Sequence, residues 1–169
     1  MIKVVVDTIS PVRNAVELGA YSGAFSALLS HLCTGVVVGV DNAPQDLTAA
    51  TRLATSRLKF CTANSSSPGT ATYVMELIGE PLDFLFIDAG HRYDEVKSDY
   101  DLWSKLVRPG GLIAFHDIDP NHVQWSPCDV HKFWPEVKGK RRWEFIATEE
   151  HAAYIGPAPG YGGIGIVEV

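Results

Sequence analysis

The sequence has few cysteines and no long apolar segment. Its three cysteines, Cys33, Cys61 and Cys128, have neither the paired spacing of a zinc site nor the even count of a disulfide framework. It has no run of about 18 apolar residues, the length needed to span a membrane, and no signal-peptide pattern. These absences exclude zinc-binding, disulfide-stapled and membrane classes. They predict a soluble cytoplasmic protein with no membrane partner.

The sequence is also short of basic residues. It has 14 lysines and arginines against 20 acidic residues, for a formal net charge of -6. This balance disfavours a broad phosphate-binding surface, so nucleic acid is not a predicted partner, and the basic run at 138–142 is interpreted as a solvated turn. No Gly-Lys-Ser/Thr motif is present to hold a triphosphate.

What the sequence does contain is an alternation of apolar strand-like runs with helical patterns. A chain of 169 residues with 46% hydrophobic content suits one compact domain. The alternation predicts an α/β fold, a Rossmann-like doubly wound sheet of seven mostly parallel strands with the last strand antiparallel. The last two strands are expected to pair at the sheet edge. The predicted strands are 15–18, 36–41, 58–62, 82–88, 111–116, 143–147 and 163–169, and helices are predicted at 45–55, 94–106 and 130–138.

The first predicted strand runs into an acidic residue and two glycines. Val16 and Leu18 belong to a buried strand that carries Glu17, while Gly19 and Gly23 allow close approach of a ligand and a turn into a helix. The spacing Glu-x-Gly-x-x-x-Gly differs from the Gly-x-Gly-x-x-Gly of dinucleotide binders. Because ligands of open α/β sheets bind at the carboxyl ends of strands, we predict a nucleoside cofactor here. A plain structural turn is the alternative.

The second predicted strand ends in Asp41. A carboxylate at this position can accept hydrogen bonds from both ribose hydroxyls of an adenosine. The alternative is a helix cap, in which Asp41 or Asn42 caps the predicted helix 45–55 with Pro44 in its first turn. Both roles can coexist.

Longer segments carry a family resemblance. Residues 16–23, Asp41, 86–93 and 106–117 resemble the corresponding parts of class I S-adenosylmethionine-dependent methyltransferases. The segments 86–93 and 106–117 are most similar to the subgroup of small O-methyltransferases of sugars and natural products, which includes macrocin-type enzymes and cephalosporin-hydroxylase-like relatives. The resemblance implies a single methyltransferase domain over residues 1–169 with a short N-terminal segment.

The resemblance also implies S-adenosylmethionine as the cofactor and a role for each matching residue. The glycine turn would receive the methionine part, the second strand's acid the ribose, and a polar residue after the third strand the adenine. The family often has an aspartate at that last place, where this chain has Asn64. The predicted cofactor contacts are Glu17, Gly19, Ala20, Tyr21, Ser22, Gly23, Asp41, Asn42, Asn64, Ser65 and Asp88.

A divalent cation, Mg or Mn, is a possible second cofactor. Asp88 ends the fourth strand and His116 and Asp117 end the fifth, so two carboxylates and an imidazole are expected to converge on one ion. The relatives commonly have an acid where this chain has His116, which weakens the case for magnesium and admits manganese, another transition metal or no metal. The alternative is that Asp117 caps the following loop and His116 is a packed histidine.

His91 is the predicted catalytic base, with Asp88 beside it. Transfer of a methyl group to oxygen requires loss of the hydroxyl proton, and an imidazole with an ordinary pKa near 6.5 can accept it at neutral pH. A lysine occupies this position in the metal-dependent relatives. The alternative is that His91 and Tyr93 only define the start of the following helix.

The acceptor is expected to be a hydroxyl of a small molecule or sugar. The loop from 118 to 129, with His122 and Trp125, is expected to line its pocket. The short segment before the first strand predicts a shallow site, or one completed by a second copy in a homo-oligomer. Two alternatives remain: an NAD-dependent oxidoreductase, and a non-catalytic nucleoside-binding or partner-binding module of the same fold.

Overall fold

The computed structural model describes residues 1–120, 127–146 and 162–169. Helices and strands alternate through most of this part of the chain. The helices are α1 (Ile2–Ile9), α2 (Ala24–Leu32), α3 (Thr48–Leu53), α4 (Pro68–Ile78), α5 (Tyr93–Trp103) and α6 (Val130–Phe133). The strands are β1 (Ala15–Leu18), β2 (Val37–Asp41), β3 (Leu58–Thr62), β4 (Leu82–Ile87), β5 (Val107–His116), β6 (Arg142–Phe145) and β7 (Ile164–Glu168).

The seven strands form one sheet in the order β3-β2-β1-β4-β5-β7-β6. The pairs within β3-β2-β1-β4-β5 are parallel, and β7 is antiparallel to both β5 and β6. This arrangement confirms the predicted doubly wound sheet with an antiparallel last strand and a β6–β7 pair at one edge. The carboxyl ends of β1, β2, β3, β4 and β5 therefore lie along one side of the sheet.

Alternate residues of the central strands pack on opposite faces of the sheet. Val16 and Leu18 belong to the core that includes residues of α4, α5 and α6. Ala15 belongs to the other core, with residues of α1 and α2. The two-residue side-chain period of a strand thus explains why a run that is apolar throughout serves both faces.

The helices differ in length from the predictions. Instead of 45–55, α3 spans Thr48–Leu53, and instead of 94–106, α5 spans Tyr93–Trp103 and continues as a 3₁₀ turn over Ser104–Leu106. The predicted helix 130–138 is an α-helical turn, α6, followed by a 3₁₀ turn at Trp134–Glu136. Pro135 has no N–H for an α-helical hydrogen bond, which explains the change.

Strand boundaries also shift. β5 begins at Val107 rather than at residue 111, because Leu82 pairs with Val107 before the register breaks and Phe84 pairs with Leu112. The residues between these two pairs on β5, which include Pro109 and Gly110, belong to the strand and lie where its pairing with β4 shifts register. β2 starts one residue later than predicted, β4 ends one residue earlier, and β6 starts one residue earlier. Ala147, the predicted end of β6, lies outside the described residues.

The N-terminal segment, to which the sequence analysis assigned no structure, contains α1. Its buried residues Val5 and Ile9 pack with Leu112 and Ile166 of the sheet. Among the described residues, no helix combines the length and apolar character needed to cross a bilayer.

Candidate active site

A cleft of about 590 Å³ opens at the carboxyl ends of the parallel strands. It brings together most of the predicted cofactor contacts with the predicted base. It also includes residues that sequence reasoning missed, namely Ser66, Ala89, Gly90, Glu95 and Asp99. The lining is Gly19, Tyr21, Asp41, Asn42, Asn64, Ser65, Ser66, Asp88, Ala89, Gly90, His91, Glu95 and Asp99.

The glycine turn after β1 is fitted between β2 and β4. The Gly19 N–H donates to the Val40 carbonyl at 2.8 Å. A Cβ on Gly19 would lie 2.0 Å from the Asp88 carbonyl oxygen, and its φ of +87° also favours glycine. Gly23, at φ +74°, leads into α2, and a Cβ there would lie 2.6 Å from Phe60 Cζ. The structure thus gives a different reason for both glycines than ligand approach, because the crowding atoms belong to the protein.

Glu17, Ala20, Ser22 and Gly23 do not line the cleft formed by the described residues. Glu17 lies on the β1 face that packs against α2, only 3% exposed, and accepts a hydrogen bond from Ser26 Oγ. Burial raises the pKa of Glu17 to about 8, against the opposing effect of the Ser26 hydrogen bond.

Asp41 ends β2 beside the glycine turn. Its Oδ2 accepts from the Tyr21 N–H at 2.7 Å and its Oδ1 accepts from the Ala43 N–H at 2.8 Å. The alternative prediction that Asp41 or Asn42 caps α3 is wrong, because the N-cap residue is Leu47. A carboxylate has about four acceptor positions, so two bonds leave capacity for ligand hydroxyls.

The loop after β3 forms the adjacent wall. Asn64 is exposed, and its Oδ1 accepts from the Ser66 N–H at 3.0 Å. The hydroxyls of Ser65 and Ser66 donate to the two carboxylate oxygens of Asp99 at 3.0 and 2.9 Å. Sequence reasoning missed Asp99, although one signal was available. Asp99 follows Val96 by three residues on the buried face of α5, and an acid on an apolar face indicates a buried hydrogen-bond network.

The structure brings Asp88, His116 and Asp117 together at the β4 and β5 ends, as predicted. One ligand atom from each lies within 4.8 Å of the others. His116 Nδ1 is 3.0 Å from Asp117 Oδ1 and 3.4 Å from Asp88 Oδ1. His91 Nε2 is 3.0 Å from Asp117 Oδ2 and 3.6 Å from Asp88 Oδ1. This His–Asp cluster meets the cleft through Asp88 and His91.

Asp117 is the centre of the His–Asp cluster. Its backbone has a φ of +63°, uncommon for a non-glycine residue, and its N–H donates to the Gly163 carbonyl at 2.9 Å. Its side chain is nearly buried and contacts both His91 and His116. An unusual backbone conformation that aims a buried carboxylate at two imidazoles is the kind of local strain found at functional sites.

The charges in the cluster change the expected protonation of His91. Hydrogen bonds to Asp117 and Asp88 raise the pKa of His91 to about 10. In this arrangement the imidazole carries its proton at neutral pH, unlike the ordinary histidine assumed from the sequence. The pKa of Asp117 is lowered, because its bonds to His116 and His91 outweigh the opposing effect of burial.

The backbone around His91 is anchored separately from its side chain. The His91 carbonyl accepts from the Asp129 N–H at 2.7 Å, and the Arg92 N–H donates to Glu95 Oε2 at 3.1 Å at the start of α5. Tyr93 Oη donates to Glu136 Oε1 at 2.8 Å. The helix start is therefore held by these contacts, while the His91 imidazole faces the cluster. His122 and Trp125, predicted to line the acceptor pocket, lie outside the described residues.

Curated relatives match over short segments. An uncharacterised protein of Acanthamoeba polyphaga mimivirus is 37% identical over 54 residues, which make up 32% of this chain and 24% of that protein. The matched segment thus spans about a quarter of the relative's length.

Solved structures match over nearly the whole chain at low identity. Cofactor-bound Rv0187 from MTB has a TM-score of 0.67 at 18% identity, covering 94% of this chain and 73% of that one. The MycE methyltransferase of the mycinamycin biosynthetic pathway, in complex with Mg, SAH and mycinamycin VI, has a TM-score of 0.60 at 15% identity, covering 98% of this chain and 47% of MycE. These likenesses show the fold.

A known protein family matches the part of the chain that forms the cleft. Residues 16–118 match the family described as "Methyltransferase domain", which is more than half of the chain. The matched region runs from β1 to the loop after β5 and contains the glycine turn, Asp41 and the whole His–Asp cluster. The chain therefore belongs to this methyltransferase family, which confirms the resemblance to class I S-adenosylmethionine-dependent methyltransferases.

Proposed function

We propose that this protein transfers the methyl group of S-adenosylmethionine to a hydroxyl of a small molecule or sugar. The observation that carries the proposal is one continuous cleft that joins Asp41, at the end of β2, to Asp88 and His91, beyond the end of β4. A nucleoside held at one end of this cleft would have its reactive part directed toward the acids and imidazoles at the other.

The cofactor is proposed to lie along the strand ends. Asp41, with capacity for further hydrogen bonds, and Asn42 would hold the ribose, and Asn64 and Ser65 would meet the base. The methionine part would follow the turn that contains Gly19 and Tyr21. The cofactor supplies the methyl group, so the main task of the protein is to align the acceptor oxygen with the methyl carbon and sulfur.

The His–Asp cluster is the proposed site of a divalent cation. Two carboxylates and one imidazole, from Asp88, Asp117 and His116, offer oxygen and nitrogen ligands within 4.8 Å of one another. This mixed ligand set suits manganese and admits magnesium, and the MycE complex contains Mg. A bound cation would orient the acceptor and favour its deprotonated oxygen.

His91 is the proposed proton acceptor because it lines the cleft beside Asp88. With Asp88 and Asp117 both stabilising the imidazolium, His91 already carries its proton at neutral pH and cannot accept another. A divalent cation held by these carboxylates would remove that stabilisation, since a bound ion is the dominant local charge. Proton acceptance by His91 and cation binding are therefore parts of one proposal.

Binding measurements separate this proposal from its alternatives. By calorimetry, the parent should bind S-adenosylhomocysteine and S-adenosylmethionine but not NAD. Asp41→Ala should weaken S-adenosylhomocysteine binding about tenfold to hundredfold, because charge-assisted hydrogen bonds to the ribose are lost. The matched control is Asp46→Ala, which removes an exposed acid that accepts a hydrogen bond from the Thr48 N–H at the start of α3.

Asp46→Ala should bind the nucleoside as tightly as the parent. Equal binding by the parent and Asp41→Ala would contradict the ribose assignment. Binding of NAD in preference to S-adenosylhomocysteine would favour the oxidoreductase. Nucleoside binding without methyl transfer to any of a panel of sugars and phenols would favour the non-catalytic module.

A further inference from the structure

The Asp99 carboxylate on α5 lies in the cleft wall and has no part in the function proposed above. Asp99 is 1% exposed. Its Oδ2 accepts from Ser65 Oγ at 3.0 Å, and its Oδ1 accepts from Ser66 Oγ at 2.9 Å. Both oxygens are therefore bonded to the loop after β3, which comes from a different part of the chain.

An acid at this position is costly to bury. The other buried residues of α5, Val96 and Trp103, are apolar and pack in the core. Burial raises the pKa of Asp99 even though two hydroxyls stabilise its charge. An apolar residue would fill this space without the cost of burying a charge. We therefore attribute the carboxylate to its hydrogen bonds with Ser65 and Ser66.

The loop that Asp99 holds is fixed by four hydrogen bonds, which involve Asp99, Trp103 and Asp41. Besides the two serine hydroxyls, the Ser65 carbonyl accepts from Trp103 Nε1 at 2.9 Å. The Ala63 N–H donates to the Asp41 carbonyl at 2.9 Å. The loop is thus tied on one side to the residue proposed to hold the ribose and on the other side to α5.

The held segment forms one wall of the cleft. Asn64, Ser65 and Ser66 line it, next to Asp41 and Asn42. The Ser65 and Ser66 hydroxyls donate to Asp99, and the Ser66 N–H donates to the Asn64 side-chain oxygen. This leaves the backbone and the Asn64 amide in one defined arrangement before any ligand enters, so a ligand there does not have to order the loop.

We propose that Asp99 is a positioning residue that, through Ser65 and Ser66, shapes this wall to receive the purine base of the nucleoside cofactor. The inference rests on the proposed function, because it assumes that a nucleoside occupies the cleft. It adds that the affinity for the purine base depends on a carboxylate of α5, which lies outside the loop that would contact the base.

The test compares the affinities of adenosine and S-adenosylhomocysteine for Asp99→Ala and the parent. The variant should lose about tenfold for both ligands, by the same factor, because they share the base and the loop must now be ordered on binding. Asp99→Asn keeps one acceptor oxygen and adds donors for a serine oxygen, so it should recover most of the affinity. The affinity for Mn²⁺, which is proposed to bind the His–Asp cluster, should not change.

The matched control is Asp83→Asn. Asp83 is also a buried acid, but it lies at the opposite end of the sheet and accepts from the Arg13 and Asn14 N–H groups and from Arg108. This variant should lose stability without losing adenosine affinity. Ser66→Ala, which removes one donor to Asp99, should show a smaller loss for the same two ligands and serves if Asp99→Ala does not fold.

If Asp99→Ala binds adenosine as tightly as the parent, the inference is overturned and the proposed function is not. The same holds for Ser66→Ala where that variant replaces it. An equal loss in Asp83→Asn, or a parallel loss of Mn²⁺ affinity, would also overturn it, because the effect would then be general destabilisation. Failure of the parent to bind either nucleoside would overturn the proposed function, and this inference with it.

Discussion

The carboxylate of Glu17 projects from β1 toward α2, away from the cleft surface. Desolvation by burial is the largest influence on it and raises its pKa to about 8, and the negative charges of Asp88 and Asp41 act in the same direction. Asp41 is only half-buried and bonds two backbone N–H groups. Two acids on neighbouring strands thus lie in different surroundings, because one faces a helix and the other faces the cleft and the proposed ligand.

We predict that Glu17 makes the protein less stable as pH rises. The folded state holds the Glu17 proton up to about pH 8, whereas the unfolded chain releases it near 4.5. The free energy of unfolding should therefore fall between these pH values, on the order of a few kcal/mol at most. Glu17→Gln should remove this part of the slope. Urea unfolding at a series of pH values, with EDTA present, measures it.

A matched variant, Glu76→Gln, changes an exposed acid on α4 and should keep the slope of the parent. The free energy of unfolding is compared between about pH 5 and pH 8. If it falls with pH equally in Glu17→Gln and in the parent, Glu17 is not buried as a protonated acid.

At the scale of elements, the site depends on which strand ends are neighbours. β4 and β5 pair directly, with Ile87 opposite Phe115, so the residues that follow them lie side by side. The loop from β4 to α5 carries His91, and hydrogen bonds at the α5 start and to Asp129 hold its backbone. These backbone hydrogen bonds on both sides of His91 place its imidazole beside Asp88 and Asp117.

His91→Gln should lower the rate of methyl transfer by about 10² to 10⁴ and leave the affinity for S-adenosylhomocysteine nearly unchanged, because a base acts in the transition state. The rate is measured as S-adenosylhomocysteine formed with a hydroxyl acceptor found by screening sugars and phenols. His31→Gln, which changes an exposed histidine on α2, should transfer methyl groups at the parent rate. A near-normal rate in His91→Gln would leave alignment alone to explain catalysis.

At the scale of the whole molecule, the His–Asp cluster joins distant parts of the chain. Asp88 follows β4, His116 ends β5, and the Asp117 N–H is held by Gly163 just before β7. A cation bound there would link these segments in the folded state, and the unfolded chain would not reproduce this arrangement.

The basic run at 138–142 lies beside the β6–β7 edge of the sheet, where Arg141 pairs with Glu168 of β7.

Mn²⁺ should raise the melting temperature of the protein, and EDTA should reverse the rise. At a concentration of about 100 times Kd, a ligand of the folded state alone adds about 2.7 kcal/mol, or several degrees for a chain of this size. Asp117→Asn should abolish most of the shift, and asparagine tolerates the positive φ of this position. Differential scanning fluorimetry provides the measurement.

Asp101→Asn, on the exposed face of α5, is the control and should shift like the parent. If Mn²⁺ and Mg²⁺ leave the melting temperature of the parent unchanged, the cluster has only hydrogen-bonding roles.

The sequence by itself determined the order of strands and helices, the glycine turn, and the acids and histidines at the strand ends. These features are local: a strand and the residue that follows it are contiguous, and the ends of parallel strands lie on one side of a sheet. Asp41 in the cleft, and Asp88 near His116 and Asp117, could therefore be predicted from spacing and pattern alone. Whether a cation or a nucleoside binds there stays a prediction.

Only the tertiary structure decided the surroundings of these residues. The pairing of Asp99 with Ser65 and Ser66, the burial of Glu17 against Ser26, and the contact of Asp117 with His91 all join segments that sequence spacing does not relate. Helix α1 and the bulge in β5 likewise depend on packing against the finished sheet. Burial and charge at a site are sums over such contacts, so the protonation of His91 follows from the folded arrangement and not from its residue type.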